Sequence, residues 1–149
     1  MEEAYIYDTV RSPRGKGKKG SLNELTAVTL SAKILKELRE RNSLNTEEIE
    51  DVIWGNVTQV GEQGGCLARS AVIAANYSES TPGLSINRFC ASGLEAVNLA
   101  TNQVKGSAGN AYVAGGVEMM SRVPMGSDGA AIAVDPTLAM NSYLSLIHI

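Results

Sequence analysis

Apolar residues along this chain alternate between two spacings. Residues 4–10, "AYIYDTV", are rich in β-branched and aromatic side chains and predict a first strand. "RSPRGKGKKG" then breaks the pattern with Pro13 and three glycines, Gly15, Gly17 and Gly20, and predicts a loop. Ser21 and Glu24 stand in the S-x-x-E spacing of a capping box. The helix they predict carries Leu25, Val28, Ala32, Leu35 and Leu38 on one face and ends near Asn42. "NTEEIE" predicts a single capped turn with Thr46 as N-cap, and 51–57 a second strand. A Gly-rich loop leads to a short Ala-rich helix over 66–76. Residues 83–87 predict a third strand, 91–105 a helix with Leu94, Val97 and Ala100 or Thr101 on one face, and 110–116 a fourth strand. From Met119 the pattern dissolves into Gly, Pro and Met.

Strands and helices thus alternate, which predicts an α/β layered domain with substantial parallel pairing. Chemistry in such sheets gathers where strands end and helices begin. The chain has 149 residues, enough for one ordinary domain, and at 44% hydrophobic and 19% charged it is globular. A net charge of −3 gives no reason to expect nucleic acid or an anionic membrane as partner. No apolar run is long enough to span a bilayer, and the start "MEEAYIYD" lacks the basic and apolar regions of a signal peptide, so a cytoplasmic protein is expected. Two cysteines, Cys66 and Cys90, make no disulfide framework, and the one histidine, His148, leaves no cluster with metal spacing.

Two junctions carry candidate chemistry. "GKGKKG" (15–20) matches G-x-G-x-x-G, yet Pro13 and the gap after Val10 spoil a tight strand-to-helix turn. The acids of the second strand, Glu50 and Asp51, stand at its start rather than its end. A solvated basic loop, or an anion contact through Arg11, Arg14, Lys16, Lys18 and Lys19, fits better than a dinucleotide site. The second junction is "INRFCASGLEAV", where Cys90 stands between a strand and a helix. A helix start carries unpaired N–H groups and partial positive charge, which favours anions, the nucleophilic thiolate among them. The same N–H groups can hold an oxyanion when sulfur attacks a carbonyl. Ala91, Ser92 and Gly93 are small and leave room for an acyl group, so the arrangement suits acyl transfer through a thioester. On spacing alone, a buried packing thiol is the preferred reading. For Cys66, which follows Gly64 and Gly65 in a looser loop, packing is preferred. Arg88 reads as a solvated or structurally paired arginine, and Glu118 as a carboxylate that bonds nearby backbone N–H groups and shapes a turn.

At Ile86, Asn87, Arg88, Phe89, Cys90, Ala91, Ser92 and Gly93 the sequence resembles the nucleophile signature of the thiolase family. "DTVRSPRGKGKKGSL", "GEQGGCLAR" and "AGGVEMMSRVPMGSDG" resemble further segments of that family, with spacing intact from about Ala4 to about Pro136. The resemblance implies the N-terminal half of a thiolase-like layered α/β fold, with a mixed, largely parallel sheet flanked by helices. It assigns 1–118 to the incomplete core half and 119–143 to the start of a loop region. It implies that Cys90 attacks the keto carbon of a 3-ketoacyl-CoA, that acetyl-CoA leaves, and that free CoA takes the acyl group. The reverse is a Claisen condensation. The Cys90 N–H would help form an oxyanion hole. Coenzyme A thioesters are then substrates, with no separate cofactor, and the full-length protein is a homo-oligomer. The histidine, second cysteine and asparagine that such enzymes need match no residue here, since neither Cys66 nor His148 has the required context. The chain is therefore expected to be truncated and inactive by itself. "LSLIHI" (144–149) resembles an in-frame translation of a transposase mosaic-end adapter, an artefact following native sequence that ends near Tyr143. Two alternatives remain: a ketosynthase-type condensing enzyme, and a non-catalytic thiolase-like lipid carrier or scaffold.

Overall fold

The computed structural model describes residues 3–17, 19–129, 131 and 134–138, so His148, the 144–149 tail and Lys18 lie outside the described residues. Six elements alternate: α1 (Ala27–Asn42), β1 (Asp51–Gly55), α2 (Leu67–Ala74), β2 (Gly83–Ile86), α3 (Ser92–Lys105) and β3 (Tyr112–Gly116). The strands form one sheet in the order β2-β1-β3, and both pairings are parallel. The layered α/β class expected from the alternation is present, with a described sheet that is wholly parallel.

β1 is central, and four of its five residues are buried, as a strand covered on both faces requires. Its side chains alternate between the faces. Val52 and Trp54 join a core with Leu35 of α1 and Leu67, Ala71 and Val72 of α2. Each large aliphatic buried there contributes about 1.5–3 kcal/mol relative to exposure. Gly55 faces the other way, where a Cβ would come within 2.5 Å of the Ser92 carbonyl carbon in α3. So α1 and α2 cover one face and α3 the other. Two polar ties fasten the first face: the Trp54 indole N–H donates to Ser31 Oγ at 3.0 Å, and the Tyr77 hydroxyl to the Leu35 carbonyl at 2.9 Å.

Three expectations change. Residues 4–10 form no strand among the described residues; Tyr5, Ile6 and Tyr7 are exposed. The segment is held instead through Asp8, which accepts from Asn42 Nδ2 at 2.7 Å and pairs with Arg41 at 3.1 Å. β-propensity is realised only beside a partner strand, and this segment is docked on the end of a helix. Second, α1 is capped by Thr26, whose hydroxyl accepts from the Thr29 N–H at 3.1 Å, and not by Ser21 with Glu24. Residues 20–25 form turns, with the Asn23 carbonyl engaged by Arg122 Nη1 at 3.3 Å. Third, Asn45 rather than Thr46 caps the 3₁₀ turn Thr46–Glu48. The Thr46 hydroxyl accepts the Ser78 N–H at 2.9 Å instead. Elsewhere the observed elements fall within the expected ranges, shortened at their ends by one to two residues in most cases. Among the described residues, no helix is long and apolar enough to cross a membrane.

Candidate active site at the start of the third helix

The parallel register places the last residues of all three strands side by side: Gly55 lies opposite both Ile86 and Gly116. The chain leaving each strand bonds to its neighbour. The Asn56 N–H donates to the Ile86 carbonyl at 2.9 Å, and the Val117 N–H to the Gly55 carbonyl at 3.0 Å. Residues 56–58, 87–91 and 117–118 therefore share the carboxyl edge of the sheet, where ligand chemistry is expected in this architecture.

Between β2 and α3 the chain folds through two overlapping turns. The Ala91 N–H bonds to the Arg88 carbonyl and the Ser92 N–H to the Phe89 carbonyl, each at 3.0 Å. Phe89 has φ 46°, in the left-handed region. A non-glycine residue there costs on the order of 1–3 kcal/mol and persists when its surroundings impose it. Those surroundings are specific. Asn87 Oδ1 accepts the Phe89 N–H at 2.7 Å, while Asn87 Nδ2 donates to the Val57 carbonyl at 3.1 Å. Ser92 Oγ accepts the Arg88 N–H at 2.9 Å and donates to the Phe89 carbonyl at 2.6 Å. Arg88 pairs with Glu95 at 2.9 Å, the structural pairing expected of it. The missing Cβ at Gly55 lets the first turn of α3 rest on the end of β1.

Cys90 stands at the apex of this turn, exposed, one residue before the Ala91 cap of α3. Among the described residues nothing hydrogen-bonds its sulfur. Ala91 provides no side-chain cap, and a Cβ on Gly93 would have nothing within 4 Å. The helix start is thus uncapped by any side chain and open at Gly93. Uncapped N–H groups, open space at Gly93 and an unengaged sulfur suit a nucleophile that forms a bulky adduct and stabilises negative charge on it.

The other candidates fall elsewhere. Cys66 is itself the N-cap of α2, at φ 57°, and is exposed rather than packed; its Sγ donates to the Gly83 carbonyl at 3.2 Å. "GKGKKG" opens no helix, since α1 begins at Ala27. Glu118 Oε2 accepts the Val57 N–H at 2.8 Å and Oε1 the Thr58 N–H at 3.3 Å, as a carboxylate shaping a turn should. An open depression of about 310 Å³ lies among Gly61, Glu62, Arg122 and Pro124, and Cys90 does not line it. Among the described residues no three His, Cys, Asp or Glu side chains converge as metal ligands do.

Sequence reasoning gave Asn87 and Ser92 no hydrogen-bonding role in building this edge, and did not single out Gln63 at all. An asparagine two residues before a strained turn residue is a signal for the first. A serine in the first turn of a helix is one for the second. Gln63, 1% exposed inside a Gly-rich loop, offers no comparable signal.

A family model described as the thiolase N-terminal domain matches residues 4–143. A 3-ketoacyl-CoA thiolase of Colwellia psychrerythraea is 40% identical over 146 residues, covering 97% of this chain and 37% of that protein. One from Shewanella loihica is 38% identical over 142 residues, 95% of this chain and 36% of the relative. Among solved structures, the acetyl-CoA acetyltransferase of Bacillus anthracis superposes with a TM-score of 0.64 at 34% identity, over 68% of this chain and 26% of that one. The chain thus spans little more than a third of the length of these curated relatives.

Proposed function

Because the chain belongs to the thiolase family through its N-terminal domain, we propose that it supplies the nucleophile of an acyl-CoA thiolase, and that this nucleophile is Cys90. The observation that carries the reading is the sulfur itself: exposed, free of hydrogen-bond partners among the described residues, and set before an uncapped helix start. The Cys90 thiolate adds to the C3 carbonyl carbon of a 3-ketoacyl-CoA. The C2–C3 bond breaks, its electron pair stays on C2, and that carbon takes a proton to give acetyl-CoA. The acyl group remains on Cys90 as a thioester. The thiolate of free CoA then attacks that thioester and expels the Cys90 sulfur. The Cys90 N–H and the start of α3 face the oxygen that becomes negative in each addition.

The base that takes the Cys90 proton and the acid that delivers one to C2 are further requirements. The single histidine, His148, lies outside the described residues. A full-length protein carrying this segment supplies these groups, while the 149 residues by themselves do not turn over. Substrates are acyl-CoA and CoA, with no separate cofactor. Two free thiols suit a reducing compartment, the cytoplasm. Among the described residues β2 ends the sheet, and its Leu84 is exposed, which suits a homo-oligomer.

The test is to incubate full-length protein with acetoacetyl-CoA without free CoA, quench in acid and map the peptides. An acetyl group on the peptide holding Cys90 is expected. Acetylation confined to the peptide holding Cys66, or none on either, overturns the reading.

A further inference from the structure

The strained turn before Cys90 is connected, through backbone and side-chain hydrogen bonds, to a carboxylate just beyond the end of β3. Glu118 follows β3. It accepts the Val57 N–H at 2.8 Å and the Thr58 N–H at 3.3 Å, and Gln63 Nε2 donates to it at 2.9 Å. Gln63 is buried, and its amide is fully engaged: Nε2 also donates to the Thr58 carbonyl at 2.9 Å, and Oε1 accepts the Met119 N–H at 2.7 Å. Asn56 Nδ2 closes the same cluster on the Val117 carbonyl at 3.0 Å. Residues 56–58 are thereby gripped from both sides. Their outward-facing acceptor, the Val57 carbonyl, takes Asn87 Nδ2, and Asn87 Oδ1 takes the Phe89 N–H. Phe89 is the residue in the left-handed conformation and the immediate neighbour of Cys90.

We infer that Glu118 and Asn87 are positioning residues for Cys90, the two ends of a strut that runs Glu118–Val57–Asn87–Phe89 and fixes where the thiol stands above the start of α3. This inference rests on the reading of Cys90 as nucleophile. The geometry gives each end a distinct job. Glu118 supplies acceptors that neighbouring backbone carbonyls cannot, because N–H groups of consecutive residues point at it. Asn87 must donate with one amide atom and accept with the other, which among similar side chains only an amide can do. Without the strut, Phe89 is held only by its carbonyl bonds to Ser92, its N–H loses its acceptor, and the sulfur shifts with it.

The test uses full-length protein and four variants: Asn87→Ala, Asn87→Asp, Glu118→Ala and the double Asn87→Ala/Glu118→Ala. Each single alanine variant is expected to lower kcat on the order of 10- to 100-fold, the scale set by a displacement of about 1 Å at a reacting atom. KM for CoA should stay within about twofold. Alkylation of Cys90 by iodoacetamide should slow in each, with Cys66 unchanged. Because the two ends act in series, the double variant should be no slower than the slower single one. Asn87→Asp keeps the acceptor for Phe89 but cannot donate to Val57, so it should fail like the alanine. Full activity in Asn87→Ala or Asn87→Asp, or additive losses in the double variant, overturns the inference. Asn87 is exposed, so its two variants decide the matter even if Glu118→Ala does not fold. A Cys90→Ala control that keeps turnover overturns the nucleophile reading itself. A dead Cys90→Ala beside fully active Asn87 variants overturns only the strut.

Discussion

α2 and α3 start alike in sequence: a cysteine, then small or apolar residues, after a loop or strand end. Both cysteines are exposed and both starts include a non-glycine residue at positive φ. The difference lies in which residue takes the strain. At α2 it is Cys66 itself, at φ 57°, and this turns its sulfur onto the Gly83 carbonyl at 3.2 Å. At α3 it is Phe89, one residue earlier, at φ 46°, so Cys90 projects beyond the turn with its sulfur unengaged. A one-residue shift in strain separates a thiol tied to backbone from one left for chemistry. Composition around a cysteine is therefore a weaker guide than the hydrogen bonds of the turn that carries it.

The sharpest way to break this comparison is substitution in full-length protein. Cys90→Ala should abolish thiolysis of a 3-ketoacyl-CoA, measured by loss of the ketoacyl thioester. Cys66→Ala should leave turnover intact and change stability by about 1 kcal/mol. Equal losses would erase the distinction between the two helix starts. Next in size is thiol chemistry: under a short, limiting exposure to iodoacetamide near neutral pH, Cys90 should be labelled on the order of tenfold faster than Cys66, as read by peptide mapping. A matched glycine pair sharpens the contrast. A Cβ at Gly55 would meet the Ser92 carbonyl carbon at 2.5 Å, and a Cβ at Gly83 the Arg69 nitrogen at 2.5 Å. Gly55→Ala and Gly83→Ala should each cost about 1–3 kcal/mol in chemical denaturation, yet only Gly55→Ala should slow Cys90 labelling. The smallest effect concerns the face opposite Cys90. Burial pushes the Tyr77 phenol up to about 12. The folded state then keeps its proton while the unfolded state loses it above about pH 10. Stability on this account is full below that point and falls as pH rises toward 12. Denaturation midpoints of wild type and Tyr77→Phe should therefore fall by different amounts between about pH 9 and about pH 11, the phenylalanine variant falling less.

What the sequence made legible follows the same division. Period and alternation located α1, α2, α3 and all three strands of the described sheet, although β2 has no buried residue and α3 buries Ser92 and Ala96 while Leu94 of its expected face is exposed. The junction holding Cys90 was equally plain, since a strand and a helix meet there with small residues between. Hydroxyl caps were misplaced where a long-range partner intervened: Thr46 serves Ser78, and Arg122 reaches the Asn23 carbonyl. Residues 4–10 look like a strand because side-chain type says nothing about whether a partner edge is free. The cluster of Gln63 and Glu118 joins residues 55 positions apart, and no local pattern announces such a bond.

The packing of Trp54 has an optical consequence. It is the only tryptophan in the chain, 3% exposed, with its ring filling the space a Cβ on Gly115 would need at 2.6 Å. Its indole N–H is held by Ser31 of α1. Intrinsic emission excited at the indole band therefore reports whether α1 is docked on the sheet, and shifts to the red when that layer opens. Cys90 lies at the edge of the opposite layer, where a thiol-reactive dye reports separately. The two signals give the two faces of one sheet independent readouts, so loosening of α3 can be followed while the core beneath α1 remains closed.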